Sequence, residues 1–299
     1  MGESAVGDMG ISAREMLRRT EQRLRVAGLG GARHEAEWLV SAALRVSRTD
    51  LYVDHEALAP EALDRLETWI LQRLQGVPLQ HVVGWTEFCG HRLAVNPSVL
   101  IPRPETECVV EAVIERLRRR AAVRHPIQIL ELGTGSGAIA IALAHAIPPC
   151  VVIAVELSWD ALRTASANIQ RHDVANRVRV VCADWADSIR GSFDVIVSNP
   201  PYVPTGELSG LPEDVRREPR MSLDGGADGM AFHRRTIAAA QRLLEPGGWL
   251  ACECDERQAD ALTRAVRVAL PIGEMTILVD LAGRPRGVVA VRAVAEAST

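Results

Sequence analysis

Residues 127–137 read IQILELGTGSG and run directly into AIAIALAHA at 138–146. An apolar strand that ends in an acid, followed by a glycine-rich turn and a helical stretch, is typical of the first βα unit of an open α/β sheet. Gly133, Gly135 and Gly137 allow positive φ and a close approach of the backbone to a ligand. We predict that these glycines, with Glu131 and Thr134, bind a cofactor. A turn of this kind by itself is equally consistent with a dinucleotide.

The next two strands favour an adenosine ligand. The segment VVIAVE ends at Glu156, about 20 residues beyond the glycine turn, where a carboxylate accepts hydrogen bonds from both ribose hydroxyls. Capping of the following helix together with Ser158 is the alternative role of this acid. After the third strand, Asp184 is placed to accept from the adenine amino group and Trp185 to pack on the ring. No acid or base series typical of a dehydrogenase follows, so a methyl donor is favoured over a hydride donor.

Helix and strand patterns alternate over the rest of this region. Apolar strand candidates lie at 127–131, 150–155, 177–182, 193–198, 248–254, 274–280 and 286–293. Such alternation predicts an α/β fold with a mostly parallel sheet covered by helices on both faces. The last two strands are joined by LAGRPRG, which is too short for a crossover helix, so one of them should run antiparallel.

The N-terminal part differs from this pattern. Apolar residues recur at helical spacing in 12–27, 33–46 and 60–75, so these segments are predicted to be helices. Residues 80–100 contain β-prone side chains and two glycines, which predicts a hairpin with its turn near Cys89 and Gly90. We interpret this hairpin as the bridge between a helical domain and the α/β domain.

The fourth strand ends in a polar loop with a specific composition. Residues 193–202 read FDVIVSNPPY, and their carboxyl end lies at the edge where open α/β sheets hold ligands. Pro200 and Pro201 remove two N–H donors, so the side-chain oxygen of Asn199 and the carbonyl of Pro200 can accept both hydrogens of one planar NH2 group. With the ring of Tyr202 packed on the amide plane, the nitrogen lone pair is aimed at the methyl donor, and positioning supplies most of the acceleration. An ordinary proline-rich cap on the strand is the alternative interpretation.

Composition sets further bounds. The chain has 299 residues and a net charge of −4, which argues against a global basic field for nucleic acid. No apolar run is long enough to span a bilayer and the N-terminus lacks a signal pattern, so we expect a cytoplasmic protein that does not contact membranes.

The cysteines form no CxxC pair, Cys252 and Cys254 fit core packing, and no metal is predicted. The arginine run at 116–124 fits a solvated helix end, with an RNA contact as the alternative.

Together these motifs resemble the HemK/PrmC family of peptide-chain release factor glutamine methyltransferases. The likeness extends from Ala32 to Arg292 and includes ARHEAEWL, VLIPRPETE at 99–107, EPRMSLDGGADGM at 218–230 and LAGRPR at 281–286. VLIPRPETE combined with NPPY is specific, whereas NPPY alone also occurs in amino methyltransferases that act on nucleic acid.

The resemblance implies a class I, Rossmann-like methyltransferase domain with a seven-stranded sheet, preceded in the sequence by a small all-helical domain. It implies S-adenosylmethionine as cofactor and S-adenosylhomocysteine as product. The expected domains are a substrate-docking domain at 1–79, a hairpin linker at 80–100 and a catalytic domain at 101–299. Arg103, Glu105 and Thr106 are expected beside the acceptor channel, although a proline-started helix also explains Glu105.

The resemblance further implies that class-1 release factors are the protein substrate, with the glutamine of their Gly-Gly-Gln loop as acceptor. We expect a monomer that does not bind nucleic acid directly. Three other functions stay open at this point. The chain could methylate a small metabolite, methylate a nucleic-acid amino group, or serve as a non-catalytic scaffold that kept a nucleoside pocket.

Overall fold

The structure is a computed structural model that describes residues 11–52, 59–119 and 126–294. By its contacts the chain divides into two compact units, Met1–Gly84 and Trp85–Thr299. The hairpin belongs to the second unit. The functional division into docking domain, linker and catalytic domain stays a prediction.

The first unit is helical, as predicted. Its helices are α1 (Ala13–Val26), α2 (Ala32–Leu44), α3 (Pro60–Leu74) and α4 (Leu79–Val83). Ser12 caps α1 by accepting from the backbone N–H of Glu15, and Pro60 begins α3, where the missing N–H costs nothing. Leu24, Leu39 and Val40 are fully buried in the core of this unit.

The predicted hairpin is shorter than expected at its start. Residues 79–83 form α4 instead, because Pro78 supplies a helix-compatible start and Gly84, at φ 82°, ends the turn in the left-handed region. The hairpin consists of β1 (Trp85–Phe88) and β2 (His91–Ala94), paired antiparallel. Its turn is confirmed at Cys89 and Gly90, whose φ values of 48° and 76° match a type I′ turn.

The second unit holds the seven-stranded sheet. Its strands are β3 (Ile127–Leu132), β4 (Cys150–Glu156), β5 (Val178–Cys182), β6 (Phe193–Ser198), β7 (Leu244–Glu253), β8 (Ile272–Val279) and β9 (Pro285–Arg292). Their order is β5-β4-β3-β6-β7-β9-β8. β9 is antiparallel to both neighbours and the other pairs are parallel, which confirms the predicted mixed sheet.

Helices cover the sheet on both faces. They are α5 (Pro104–Arg119), α6 (Ala138–Ala146), α7 (Trp159–Arg171), α8 (Glu213–Arg216), α9 (Ala231–Leu243) and α10 (Ala259–Ala269). One apolar cluster packs α5, α6 and α7 on the sheet, and a second packs α9 and α10 on it. Alternate residues of β3 belong to opposite clusters, because successive side chains of a strand point to opposite faces. Cys252 and Cys254 are buried, as predicted.

Strand register brings the predicted site loops to one edge. Leu132 at the end of β3 lies opposite Val155 of β4 and Ser198 of β6. Glu156 in turn lies opposite Cys182, the last residue of β5. The glycine turn, Glu156, Asp184 and Asn199 therefore emerge at the carboxyl ends of four neighbouring strands.

The arginine run at 116–124 is only partly solvated. Arg118 and Arg119 are exposed at the end of α5, but the guanidinium of Arg116 is half-buried and donates to Thr276 Oγ1 at 3.0 Å. Residues 120–124 of the run lie outside the described residues. None of the helices described by the structure is long and apolar enough to cross a bilayer.

Candidate functional site

Backbone hydrogen bonds to β4 hold the glycine turn that follows β3. The N–H groups of Gly133 and Thr134 both donate to the carbonyl of Val155 at 3.0 Å. Gly133, Gly135 and Gly137 have φ of 77°, 55° and 83°, which side chains rarely adopt. A Cβ at Gly133 would lie 3.3 Å from the ring of Trp185. The turn thus requires glycine for both conformation and space.

Glu131 is buried beneath this turn. Its Oε2 accepts from the Thr134 hydroxyl at 2.7 Å, whereas Oε1 has no hydrogen-bond partner among the described residues. Burial, aided by the nearby carboxylate of Glu156, raises the pKa of Glu131 to about 8, against the opposing effect of the Thr134 hydrogen bond. A buried carboxylate oxygen without a partner offers a place for a cationic or N–H group of a ligand.

Glu156 organises the neighbouring loop. Its Oε2 accepts from Gly135 N at 2.9 Å, and its Oε1 accepts from Leu157 N and Ser158 N at 3.0 and 2.9 Å. Ser158 itself caps α7 by accepting from Ala161 N. The carboxylate therefore supports the helix entry, and it also lines the cavity described next, where its oxygens can accept further bonds.

A cavity of about 320 Å³ opens at this edge of the sheet. The predicted residues that line it are Gly133, Gly135, Glu156, Asp184, Trp185, Asn199 and Pro201. The predicted residues outside its lining are Arg103, Glu105, Thr106, Glu131, Thr134, Gly137, Pro200 and Tyr202. The sequence reasoning did not single out Val99, Leu100, Leu157, Met221 and Phe232, which supply apolar walls to the cavity. Val99, Leu100 and Met221 belong to the quoted motifs at 99–107 and 218–230, whereas Phe232 lies at the start of α9.

Asp184 and Trp185 are engaged by the protein itself. Asp184 Oδ1 accepts from the guanidinium of Arg235 at 2.8 Å, so an adenine amino group would share this carboxylate with an ion pair. Trp185 is buried, and its indole N–H donates to Thr236 Oγ1 at 3.2 Å. Its ring packs beneath Gly133 and lies 4.9 Å from the Phe232 ring between centroids. The indole therefore packs against the underside of the glycine turn.

The proline loop after β6 presents acceptors to the cavity edge. Asn199 donates from Nδ2 to Thr106 Oγ1 at 3.0 Å, which fixes the orientation of the carboxamide. Neither Asn199 Oδ1 nor the carbonyl of Pro200 accepts a hydrogen bond from the described part of the chain. Thr106 is thus placed beside Asn199, although it does not touch the cavity.

A buried acid behind this loop was missed by the sequence reasoning. Glu253, at the end of β7, is 2% exposed, and its Oε2 has no hydrogen-bond partner among the described residues. Burial raises the pKa of Glu253 to about 7, and the nearby side chains of Thr106 and Tyr202 oppose that rise. Burial also raises the pKa of Tyr202 well above its usual value. The available signal was an acid at the carboxyl end of a buried strand.

The segment 224–230 packs against the back of the proline loop. Gln258 Nε2 donates to the carbonyl of Tyr202 at 2.8 Å. A Cβ on Gly225 would lie 2.8 Å from the Tyr202 backbone, and one on Gly229 would lie 2.4 Å from the Tyr202 carbonyl oxygen. These two glycines let the backbones approach closely, so they fix where Asn199 and Pro200 sit.

Arg103 is committed to an ion pair. Its guanidinium binds the carboxylate of Glu218, which is buried and also accepts from Ile101 N at 2.8 Å. Burial raises the pKa of Glu218, and the charge of Arg103 opposes that rise. The carbonyl of Glu105 accepts from the Cys108 thiol at 2.9 Å. Arg103 therefore ties residues 101–103 to the segment that carries Met221.

The sheet order, the glycine turn and the loop after β6 define a class I, Rossmann-like methyltransferase. Among solved structures, the hMettl16 catalytic domain in complex with MAT2A 3'UTR hairpin 6 is 16% identical and has a TM-score of 0.52, covering 80% of this chain and 84% of that one. The T. thermophilus 16S rRNA methyltransferase RsmC is 18% identical at a TM-score of 0.50, covering 70% and 49%. At these identities the likeness concerns the fold alone.

Sequence comparisons are more specific. Residues 15–84 match the PrmC N-terminal domain, and residues 110–210 match the Methyltransferase small domain. The release factor glutamine methyltransferase of Moorella thermoacetica is 41% identical over 94% of this chain and 99% of its own length. That of Geobacter sulfurreducens is 42% identical over 83% and 86%. The chain belongs to the family of release factor glutamine methyltransferases.

Proposed function

We propose that this protein transfers a methyl group from S-adenosylmethionine to the side-chain amide nitrogen of a glutamine in a peptide chain release factor. The observation that carries the proposal is the arrangement of Asn199. Its amide N–H2 is held by Thr106, so its oxygen remains available in the cavity lining, and the carbonyl of the adjacent Pro200 accepts no hydrogen bond from the described residues. Two acceptors side by side match the two hydrogens of one planar NH2 group.

The residues present fit the cofactor. The glycine turn would hold its amino-acid part, with the unpartnered Oε1 of Glu131 as acceptor, and Glu156 would bind the ribose. Val99, Leu157 and Phe232 would pack against the adenine. The carboxylate of Glu156 complements a positively charged ligand. When bound, S-adenosylmethionine supplies an electrophilic methyl group on a sulfonium centre.

The acceptor loop performs the positioning. An amide nitrogen is a weak nucleophile because its lone pair is delocalised into the carbonyl. Asn199 Oδ1 and the Pro200 carbonyl would each accept one N–H, and this fixes the direction of the lone pair. Holding reactants in one geometry can contribute roughly 7 to 11 kcal/mol to lowering a barrier. The nitrogen needs no base before transfer and releases one proton to solvent afterwards.

Thr106 and Glu253 keep the clamp in place. Thr106 Oγ1 accepts from Asn199 Nδ2, and the buried carboxyl group of Glu253 lies close enough to Thr106 for that side chain to lower its pKa. The bond to Thr106 prevents Asn199 from turning its N–H2 toward the acceptor. Tyr202, whose carbonyl accepts from Gln258 Nε2, supports the loop from behind.

We further propose that the helical unit docks the release factor and that the acceptor is the glutamine of a Gly-Gly-Gln loop. Residues 15–84 match a domain named for this family. Val26, Leu71 and Leu74 are exposed apolar side chains on α1 and α3, and such residues suit a protein contact.

The test uses purified protein, S-adenosylmethionine and a release factor, with the modified residue located by mass spectrometry. We expect one methyl group on the glutamine of the Gly-Gly-Gln loop, and none on a factor whose glutamine is replaced by glutamate. A short Gly-Gly-Gln peptide should be methylated with a much lower kcat/KM than the whole factor, because it lacks the docking contact. An unmodified factor combined with turnover of another acceptor would contradict the assignment.

A further inference from the structure

Three histidines meet at the edge of the sheet opposite the cavity. His91 begins β2, His145 lies in the last turn of α6 and His172 caps the C-terminus of α7. Both helices start at the carboxyl edge of the sheet, beside Gly137 and Ser158, so their last turns lie at the other edge. The cluster is therefore separate from the methyl-transfer site.

The geometry of the cluster suits a metal ion. One ring nitrogen from each histidine lies within 4.8 Å of the other two. Zinc–nitrogen bonds of about 2.0–2.1 Å at tetrahedral angles require nitrogens roughly 3.3 Å apart, so modest side-chain rotations would bring all three to one ion. His91 and His172 are half-buried and His145 is exposed, which leaves a further coordination position open to water.

A hydrogen bond already selects the tautomer of His172. Its Nε2 lies 2.9 Å from the carbonyl of Arg92, so its N–H donates there and Nδ1 keeps a lone pair. Metal-binding histidines commonly donate their second N–H to a backbone carbonyl in this way.

Packing alone is the competing explanation. The rings of His91 and His145 are stacked with centroids 4.5 Å apart and planes 21° apart, an arrangement that also occurs without metal. A bound ion would link β2 to α6 and α7, which Asn168 already ties together by accepting from Ala94 N and donating to Ser136 O. It would thus brace the hairpin that precedes the 98–106 segment of the methyl-transfer site.

We propose that His91, His145 and His172 bind one divalent transition-metal ion of the zinc class. Among the described residues, these are the three side chains whose ligand atoms lie close enough together to hold one metal ion. The sequence predicted no metal because that expectation rested on cysteine spacing. The three histidines come from distant segments, and only the fold brings them together.

The test uses full-length protein without a polyhistidine tag, stripped of metal by chelator and titrated with Zn²⁺ against a chromophoric competitor. A Cys182→Ser background removes the exposed thiol as an alternative ligand. We expect one equivalent of zinc and a higher Tm with zinc present. His145→Gln should weaken binding by roughly 100-fold and abolish the Tm shift.

His145 is exposed, so its variant should fold. His34→Gln, at an exposed histidine of the helical unit, is the matched control and should bind zinc like the parent. His91→Gln provides a second loss-of-ligand variant. Absence of a stoichiometric zinc equivalent in the parent, or equal binding by the parent and His145→Gln, would overturn the proposal.

Discussion

The glycine turn after β3 and the proline loop after β6 lie at neighbouring strand ends but expose opposite hydrogen-bonding groups. The glycine turn is built from backbone N–H groups that meet carbonyls and the carboxylate of Glu156. The proline loop lacks N–H donors at Pro200 and Pro201 and leaves two oxygens free. We propose that one edge of a single sheet thus binds a positively charged, hydroxyl-bearing cofactor in one place and an NH2 group in the next.

Among substitutions outside the cavity lining, the largest expected effect comes from displacing the proline loop. Gly225→Ala places a Cβ about 2.8 Å from the Tyr202 backbone, so the loop must shift. We expect kcat to fall by roughly 100-fold, because small misplacements of reacting groups cost that much, while calorimetry shows nearly unchanged affinity for S-adenosylmethionine. Gly206→Ala, where a Cβ meets open space, is the control and should be silent. Loss of cofactor affinity in Gly225→Ala would show that the two loops are not independent.

The glycine side of the comparison is tested at Glu156. Glu156→Gln keeps the shape of the side chain but replaces the charged carboxylate that accepts from Gly135 N and that we propose binds the ribose. We expect the calorimetric Kd for S-adenosylmethionine to rise by about 10-fold, the effect of losing a charged hydrogen bond. At saturating cofactor kcat should stay within about 3-fold of the parent. A collapse of kcat with an unchanged Kd would assign Glu156 to the chemical step instead.

A smaller effect is expected at Thr106, which orients the side-chain amide of Asn199. Thr106→Val is isosteric but cannot accept from Asn199 Nδ2, so the carboxamide can rotate. We expect kcat to fall by about 10-fold with little change in the Kd of the cofactor. Thr106→Ser restores the hydroxyl and should recover most of the activity. Failure of serine to rescue would point to a purely structural role for the threonine methyl group.

The last effect in this group concerns the pH dependence of stability and not catalysis. The raised pKa of Glu131 means that the folded state binds its proton more tightly than the unfolded state, so the free energy of unfolding falls as pH rises from about 4.3 to about 8. Glu131→Gln should flatten this slope by up to about 1.4 kcal/mol per pH unit. Urea denaturation at several pH values measures it, with exposed Glu256→Gln as control. An unchanged slope would mean that Glu131 is solvated in the folded protein.

Sequence patterns predicted the sheet closely because each strand is a short apolar run that ends at a polar or glycine-rich loop. The main misplacement is β7, predicted to start at 248 but found from Leu244. Its Pro-Gly-Gly start departs from the apolar pattern, and the register between β6 and β7 shifts there. Residues 80–83 were likewise assigned to the hairpin but form α4.

The positions of the candidate site residues were predictable only where those residues belong to one local sequence motif. NPPY, Glu156 and the glycine turn lie together as expected, since strand register alone places them. The ion pair of Asp184 with Arg235 was not foreseeable, because its partner lies on a distant helix. The same holds for Glu253 behind Thr106 and for the apolar wall from Met221 and Phe232, which depend on tertiary packing.

The most direct test of the amide clamp is Asn199→Ala, with kcat measured on a release factor and cofactor affinity measured by calorimetry. Removing Oδ1 takes away one of two acceptors for the substrate NH2 and leaves the glycine turn and Glu156 intact. We predict a loss in kcat of at least roughly 100-fold and a Kd for S-adenosylmethionine within about 3-fold of the parent. Equal losses in both quantities, or an unchanged kcat, would contradict the assignment of Asn199 to the acceptor.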